Sequence, residues 1–391
     1  MTTKKKAFTL VELLAVITVL AIILIIAIPN IQHLINENKK NTFLINAKSI
    51  IKQIKYEDKT FATSTLSELN LEGIAKDGYD ANLSIAYISD EEIHLNLVGA
   101  GQYEGMYLCG VNLTTNKSEV QNTPCEELEK YIVTFDPNGG FVAISNKEVI
   151  YNATYGNLPA PKREGYKFLG WSPIPSDYQE VEYIESTGTQ YIDSNYISNS
   201  KTTAILTYAI TGPTSGGDEI FFGATNSVGS SYLEAYVNHR WYAALGGGRY
   251  RYVLTGKGVG TNKKYVAQIN KDALVVDGNI KNSTGQISDA NIPIYIFAWN
   301  NNGNVQYKHS HMRLYNLIFK ENEEEVRNYI PCYHINSNET GLYDVINGNF
   351  YNNLGTDEFN KGNDGTYYYV TKDVKVTQRK NHTLKAIWEE I

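Results

Sequence analysis

Cysteine is almost missing from this chain, with three residues in 391. That excludes a disulfide scaffold and leaves room for one bridge at most. Methionine is equally scarce at three, and phenylalanine counts 12 against 30 tyrosines. Charged residues make up only 20% and hydrophobic residues 42%, which excludes both a disordered tail protein and a polytopic membrane protein. The length is that of two or three domains. Tyrosine-rich, glycine-rich chains with little methionine usually build β-sheets with wet surfaces.

Acidic residues are sparse at one end. Residues 1–60 carry nine lysines and four acids, a net of +5, so the remainder carries −12 of the overall −7. A basic start and an acidic bulk predict a membrane-inserted beginning and a soluble remainder. The one long apolar run, Phe8 to Ile28, contains a single charge, Glu12. As a helix it would span roughly 30 Å, the thickness of a bilayer core. Lys4, Lys5 and Lys6 precede it and favour a cytoplasmic N-terminus. A cleaved secretory signal has a shorter apolar region followed by small residues. Here Pro29-Asn30 follows, and the small residue, Ala7, comes first.

A carboxylate five residues into such a run is costly and needs a reason. Lys4-Lys5-Lys6-Ala7-Phe8-Thr9-Leu10-Val11-Glu12-Leu13-Leu14, with the apolar run and Pro29, resembles the N-terminal signal of type IV prepilins and pseudopilins. The resemblance implies cleavage between Ala7 and Phe8 by a prepilin peptidase, and N-methylation of Phe8. Ala7 stands where most of that family has Gly. The resemblance also gives Glu12 a role in filament assembly, pairing with the Phe8 amine of a neighbouring subunit, because two opposite buried charges are tolerated where one is not.

Ile31, Leu34, Ile35, Leu44, Ala47, Ile51 and Ile54 continue a helical apolar face, with Pro29 as a kink. Alternating runs at 82–88, 91–98 and 103–113 predict a three- or four-stranded antiparallel sheet. One long helix on such a sheet is similar to a pilin head. Cys109 and Cys125 are 16 apart in the segment that closes the sheet. Outside the cytoplasm a bridge is expected and contributes about 3 kcal/mol by loop closure; two free thiols are the alternative. No His lies within ten residues of either, which argues against metal.

Tyr131-Ile132-Val133-Thr134-Phe135-Asp136-Pro137-Asn138-Gly139-Gly140, then Arg163-Glu164-Gly165-Tyr166-Lys167-Phe168-Leu169-Gly170-Trp171, resemble the Listeria–Bacteroides, or internalin B-type, repeat, a small β-grasp-like module of about 70 residues. Its closing phrase, Val374 to Trp388, stands at the other end of the chain. The expected organisation is therefore a leader at 1–7, a transmembrane helix at 8–29 and a pilin-like α/β head at 30–129. A split repeat follows at 131–173 plus 363–389, around an insert at 174–362.

The insert reads as all-β. Its phrases Glu182-Tyr183-Ile184-Glu185-Ser186-Thr187-Gly188, Phe222-Gly223-Ala224, Tyr295-Ile296-Phe297-Ala298 and Tyr329-Ile330-Pro331-Cys332-Tyr333 resemble a concanavalin A-like, laminin-G-like jelly roll. That fold hosts lectins, protein binders and glycosidases, so it does not fix a function. Glu180, Glu182 and Glu185 superficially match the acidic strand of jelly-roll glucanases, but their order and placement fit badly, and solvated edge-strand acids are the better reading. His309 and His311 share a strand face without a third metal ligand. Cys332 reads as a small buried hydrophobe.

Residues 239–271 hold seven cations, no acid and five interleaved aromatics. The candidate ligand surface drawn from them is Arg240, Trp241, Arg249, Tyr250, Arg251 and Tyr252. Such a surface suits an anionic glycan or polymer, and the alternative is solvated strand faces with tyrosines in the core. Broad nucleic-acid binding is disfavoured by the acidic balance.

The fold class expected is multidomain: a long N-terminal transmembrane α-helix, a small α/β head, then mainly β. The expected function is non-enzymatic, a minor pilin or pseudopilin-like protein that presents a β-sandwich binding domain for adhesion or ligand capture. The other reading is a type II secretion or competence pseudopilus component without ligand. No cofactor is expected, and a structural calcium ion in the insert is not assignable from sequence. Expected partners are prepilin peptidase, other pilin subunits, the membrane and a surface glycan. The expected location is the bacterial cytoplasmic membrane, single-pass with the N-terminus inside and the C-terminal domains at the cell surface.

Overall fold

The computed structural model describes residues 10–57, 61, 63–72, 78–89, 92–116, 119–212, 219–236, 240–253, 261–306 and 310–391. They are mainly β, with few helices. The chain divides into two compact units, residues 1–128 and 129–391.

The first unit is built on one helix, Leu10–Tyr56, of 47 residues, roughly 70 Å of chain. It contains no glycine, and Pro29 lies inside it without ending it. Its two halves face different surroundings. Phe43, Leu44, Ala47, Ile50, Ile51 and Ile54 are 0–7% exposed. They recur at helical spacing and pack against a five-stranded antiparallel sheet, Thr63–Thr65, Ile85–Ser89, Glu92–Val98, Tyr107–Val111 and Val120–Gln121, in that order. Ile31, Leu34 and Ile35, expected on the same buried face, are instead about half exposed or more. The described part of residues 8–29 runs on through Pro29 into the segment below it as one helix, the continuation expected from the apolar spacing. Among the described residues no helix is long and apolar enough to cross a membrane.

Two short edge strands, Thr63–Thr65 and Val120–Gln121, take the head sheet beyond the three or four strands expected. The third expected run, at 103–113, is shorter as a strand because Tyr103 closes a turn of 3₁₀ helix and stacks on Phe43 at 5.2 Å. Cys109 and Cys125 are joined by a disulfide, which ties the chain leaving the sheet back to the strand Tyr107–Val111.

The second unit contains a four-stranded sheet in the order Asn146–Ile150, Lys130–Asp136, His382–Glu390, Tyr166–Ser172. The last strand of the chain enters this sheet between two early ones. It runs parallel to Lys130–Asp136, with Leu384 opposite Phe135, and antiparallel to Tyr166–Ser172, with Ala386 opposite Trp171. Val133, Phe135, Trp171, Val376, Leu384 and Ala386 form one core drawn from both ends of the sequence.

Between these segments, two larger sheets bury a shared core. One sheet is centred on Thr202–Ile210, His311–Glu321 and Glu324–His334; the other on Glu219–Thr225, Ser230–Tyr236 and Arg240–Leu245. Tyr208 of the first meets Phe221 of the second at 4.2 Å and accepts a hydrogen bond from the Trp241 indole at 2.6 Å. A buried Tyr or Trp needs such a partner, because its polar atom is otherwise orphaned in an apolar layer.

Leu384→Ala removes a fully buried side chain and is expected to cost about 2–5 kcal/mol. Amide exchange should accelerate at Val133 and Phe135 as well as at 382–390, since the strands share one core. Acceleration confined to 382–390 would mean that the final strand is only docked.

Candidate functional site

The N-terminal features fall unevenly on the structure. Ala7 and Phe8 lie outside the described residues. Glu12 occupies the first described turn of the long helix and is exposed. Around it Leu10 is 82% exposed, Val11 73% and Leu14 65%. An acid thus sits within an apolar helix surface that no part of its own described unit covers. Water is a poor solvent for such a surface, and its natural surroundings are lipid or other apolar helices.

The cationic, aromatic stretch forms a hairpin, Arg240–Leu245 and Gly248–Val253. Gly246 and Gly247 make the turn with φ of +61° and +96°, which the tight hairpin geometry requires. Asp289 fixes this turn. Its Oδ1 accepts from the Gly246 amide at 3.0 Å, from Ser198 Oγ at 3.0 Å and from Ser231 Oγ at 2.9 Å.

The expected ligand surface is corrected by this arrangement. Trp241 is 0% and Tyr250 1% exposed. The Tyr250 hydroxyl donates to the Asn270 carbonyl at 2.6 Å, and Trp241 points at Tyr208. Both rings are core, because alternation along each strand turns one face inward. Arg249 is exposed; the side chains of Arg240, Arg251 and Tyr252 lie outside the described residues. The other cations disperse. Lys263 pairs with Asp277 at 3.2 Å, and Lys264 sits 3.6 Å over the Tyr315 ring.

What the hairpin does make is a cleft of about 680 Å³ beside its turn. Gly246 and Gly247 form one wall, Lys271 and Asp272 the next, and Asn282, Ser283, Gln286, Ile287 and Ser288 the remainder. It offers amides, hydroxyls and one charge of each sign, suited to a hydroxyl-rich ligand. Sequence reasoning missed the far wall and Asp289. The Gly246-Gly247-Gly248 run was the signal available in the sequence.

The three glutamates do not act together. Glu185 pairs with Arg313 at 2.8 Å, Glu182 lies 4.0 Å from Lys264, and Glu180 is 3% exposed. Burial pushes the Glu180 carboxyl up to about 8, against a smaller downward pull from the Tyr367 and Tyr368 amides and Lys385. Cys332, opposite Glu180 in the neighbouring strand, is fully buried, and burial raises its thiol well above the usual range. His309 lies outside the described residues. The backbone amide of His311 donates to Glu219, whose carboxylate is 3.6 Å from the imidazole. Among the described residues, no group of three or more His, Cys, Asp or Glu is placed to hold a metal ion.

Residues 2–28 match the prokaryotic N-terminal methylation motif. Residues 131–203 match the Listeria–Bacteroides repeat domain. The second match runs past residue 173, although the four-stranded sheet takes its remaining strand from His382–Glu390. No curated protein matches the chain. The two matches identify a pilin-like or pseudopilin-like N-terminus joined to a repeat of that type, a combination that suggests a non-enzymatic structural protein.

Glu180 gives the second unit a defined pH response. Unfolded, its carboxyl titrates near 4.5; folded, near 8. The folded state therefore holds the proton more tightly. Stability is full below about pH 4.5, falls as pH rises toward 8, and levels above it. Each unit of that interval costs about 1.4 kcal/mol. Glu180→Gln should melt at nearly the wild-type temperature at pH 5 and above it at pH 8. A difference that does not change with pH would show that Glu180 is not the titrating group.

Proposed function

We propose that this chain is a minor pilin or pseudopilin-like protein. Residues 8–29 anchor it in the bacterial cytoplasmic membrane with the N-terminus inside, and the C-terminal unit stands at the cell surface. The observation that carries this reading is the methylation motif at 2–28 continued by a single helix whose first half is apolar and uncovered. In this reading residues 1–7 are a leader removed by prepilin peptidase, Phe8 is methylated, and 30–129 is the pilin-like head. Residues 131–173 with 363–389 are one repeat. It carries residues 174–362 as an inserted domain of concanavalin A-like or laminin-G-like type, supported by two sheets over one core.

The work of the second unit is ligand capture or adhesion. We assign it to the cleft beside the Gly246-Gly247 turn, with Arg249 at its rim, and not to Trp241 and Tyr250. Burial of those two rings favours the second reading, a secretion or competence pseudopilus component, for that part of the hairpin.

Glu12→Val tests the assembly role. It removes the one charge from the apolar run, so membrane insertion should be kept. Incorporation into filaments should fall sharply, because the Phe8 amine loses its partner. Membrane fractionation and filament shearing read the two effects separately; assembly at the wild-type level would rule out the pairing.

A further inference from the structure

The residues that carry the repeat resemblance also build a groove. Two cavities of about 570 and 420 Å³ adjoin on the four-stranded sheet and share Arg163, Tyr166 and Trp388. Their aromatic walls are set in place by glycine. A Cβ on Gly140 would lie 2.8 Å from Trp388 Cζ2, and one on Gly170 would lie 2.6 Å from Tyr369 Cδ1. The Trp388 indole donates to the Pro137 carbonyl at 3.0 Å and meets Phe168 edge-on at 5.6 Å. The Arg163 guanidinium lies 3.8 Å over the Tyr166 ring and donates to the Asn138 carbonyl at 3.3 Å. Tyr166, Tyr369 and Trp388 are fixed, yet each remains partly exposed. Rings immobilised in this way contact a ligand with little further loss of side-chain entropy.

The polar groups are asymmetric in charge. Lys385 lines the wider cavity and is half-buried. Among the described residues its ammonium has no hydrogen bond or ion pair; Asp136, Asp177 and Glu180 act on it only through longer-range attraction. The carboxylate lining the same cavity, Asp364, already accepts the Tyr333 hydroxyl at 3.1 Å. A half-desolvated cation without a close partner is complemented by an incoming anion.

We propose that this groove binds an acidic saccharide, its sugar faces against Tyr166, Tyr369 and Trp388 and its acid group between Lys385 and Arg163. The acid is a uronate carboxylate or a glycan phosphate. The site is separate from the cleft beside Gly246-Gly247, and its existence does not depend on filament assembly.

The test is calorimetric titration of the full-length chain in non-ionic detergent with an oligouronate, a glycerol-phosphate polymer and neutral dextran, at two salt concentrations. At least one acidic polymer should bind, and which one identifies the acid. Binding should weaken with salt, and dextran should not bind. Lys385→Gln and Arg163→Gln should each weaken binding by about tenfold or more at unchanged melting temperature. Arg249→Ser, on the hairpin beside the other cleft, should leave it unaltered. If Lys385→Gln melts early, Arg163→Gln decides. Binding of neither acidic polymer, equal binding of dextran, wild-type affinity in both groove variants, or loss only in Arg249→Ser would each overturn the proposal.

Discussion

The exposed apolar half of the helix Leu10–Tyr56 constrains everything else in this molecule. A helix buried from Phe43 to Ile54 and uncovered from Leu10 to Leu24 belongs to two solvents at once. The apolar side chains from Leu10 to Leu24 are not covered by their own described unit, and surroundings that suit such a surface are lipid or other apolar helices. Glu12 sharpens the constraint. A carboxylate there is unfavourable in lipid alone and becomes tolerable where a positive group meets it. In the proposed reading, that pairing is what separates an assembling subunit from a simple anchored protein.

The second unit solves a different problem, that of holding a large body on a small sheet. The antiparallel pairing of His382–Glu390 with Tyr166–Ser172 brings the chain back to where it left the sheet. Both ends of the intervening body are thereby held close, which is the geometry that lets one module sit within another. The junction is not purely apolar. Glu180, from the strand Tyr178–Glu180, sits buried near Cys332 and feels the amides of Tyr367 and Tyr368. Burying a carboxyl there holds it neutral across most of the physiological range.

Much of this was legible because local pattern and tertiary role agree. Leu44, Ala47, Ile51 and Ile54 recur at helical spacing and are core. Val133 and Phe135 alternate and face inward. The strands Lys264–Ile269 and Ala273–Val276 fall within the segment read as all-β. Reading failed where composition outran periodicity. Seven cations with interleaved rings implied a surface, but alternation put Trp241 and Tyr250 inside. Ile31, Leu34 and Ile35 fit an apolar face, yet the sheet they would have to cover does not reach them. Asp289, which holds the Gly246 turn from 43 residues away, is invisible to any local rule. The groove under Trp388 depends on contacts 251 residues apart in sequence.

The central claim is that this chain enters the membrane as a prepilin and is processed there. Mass spectrometry of the protein isolated from cells with and without an active prepilin peptidase tests it most directly. The account predicts a mature chain that begins at N-methylated Phe8 only where the peptidase is present, and an intact N-terminus without it. A chain that keeps residues 1–7 in the presence of active peptidase would contradict it.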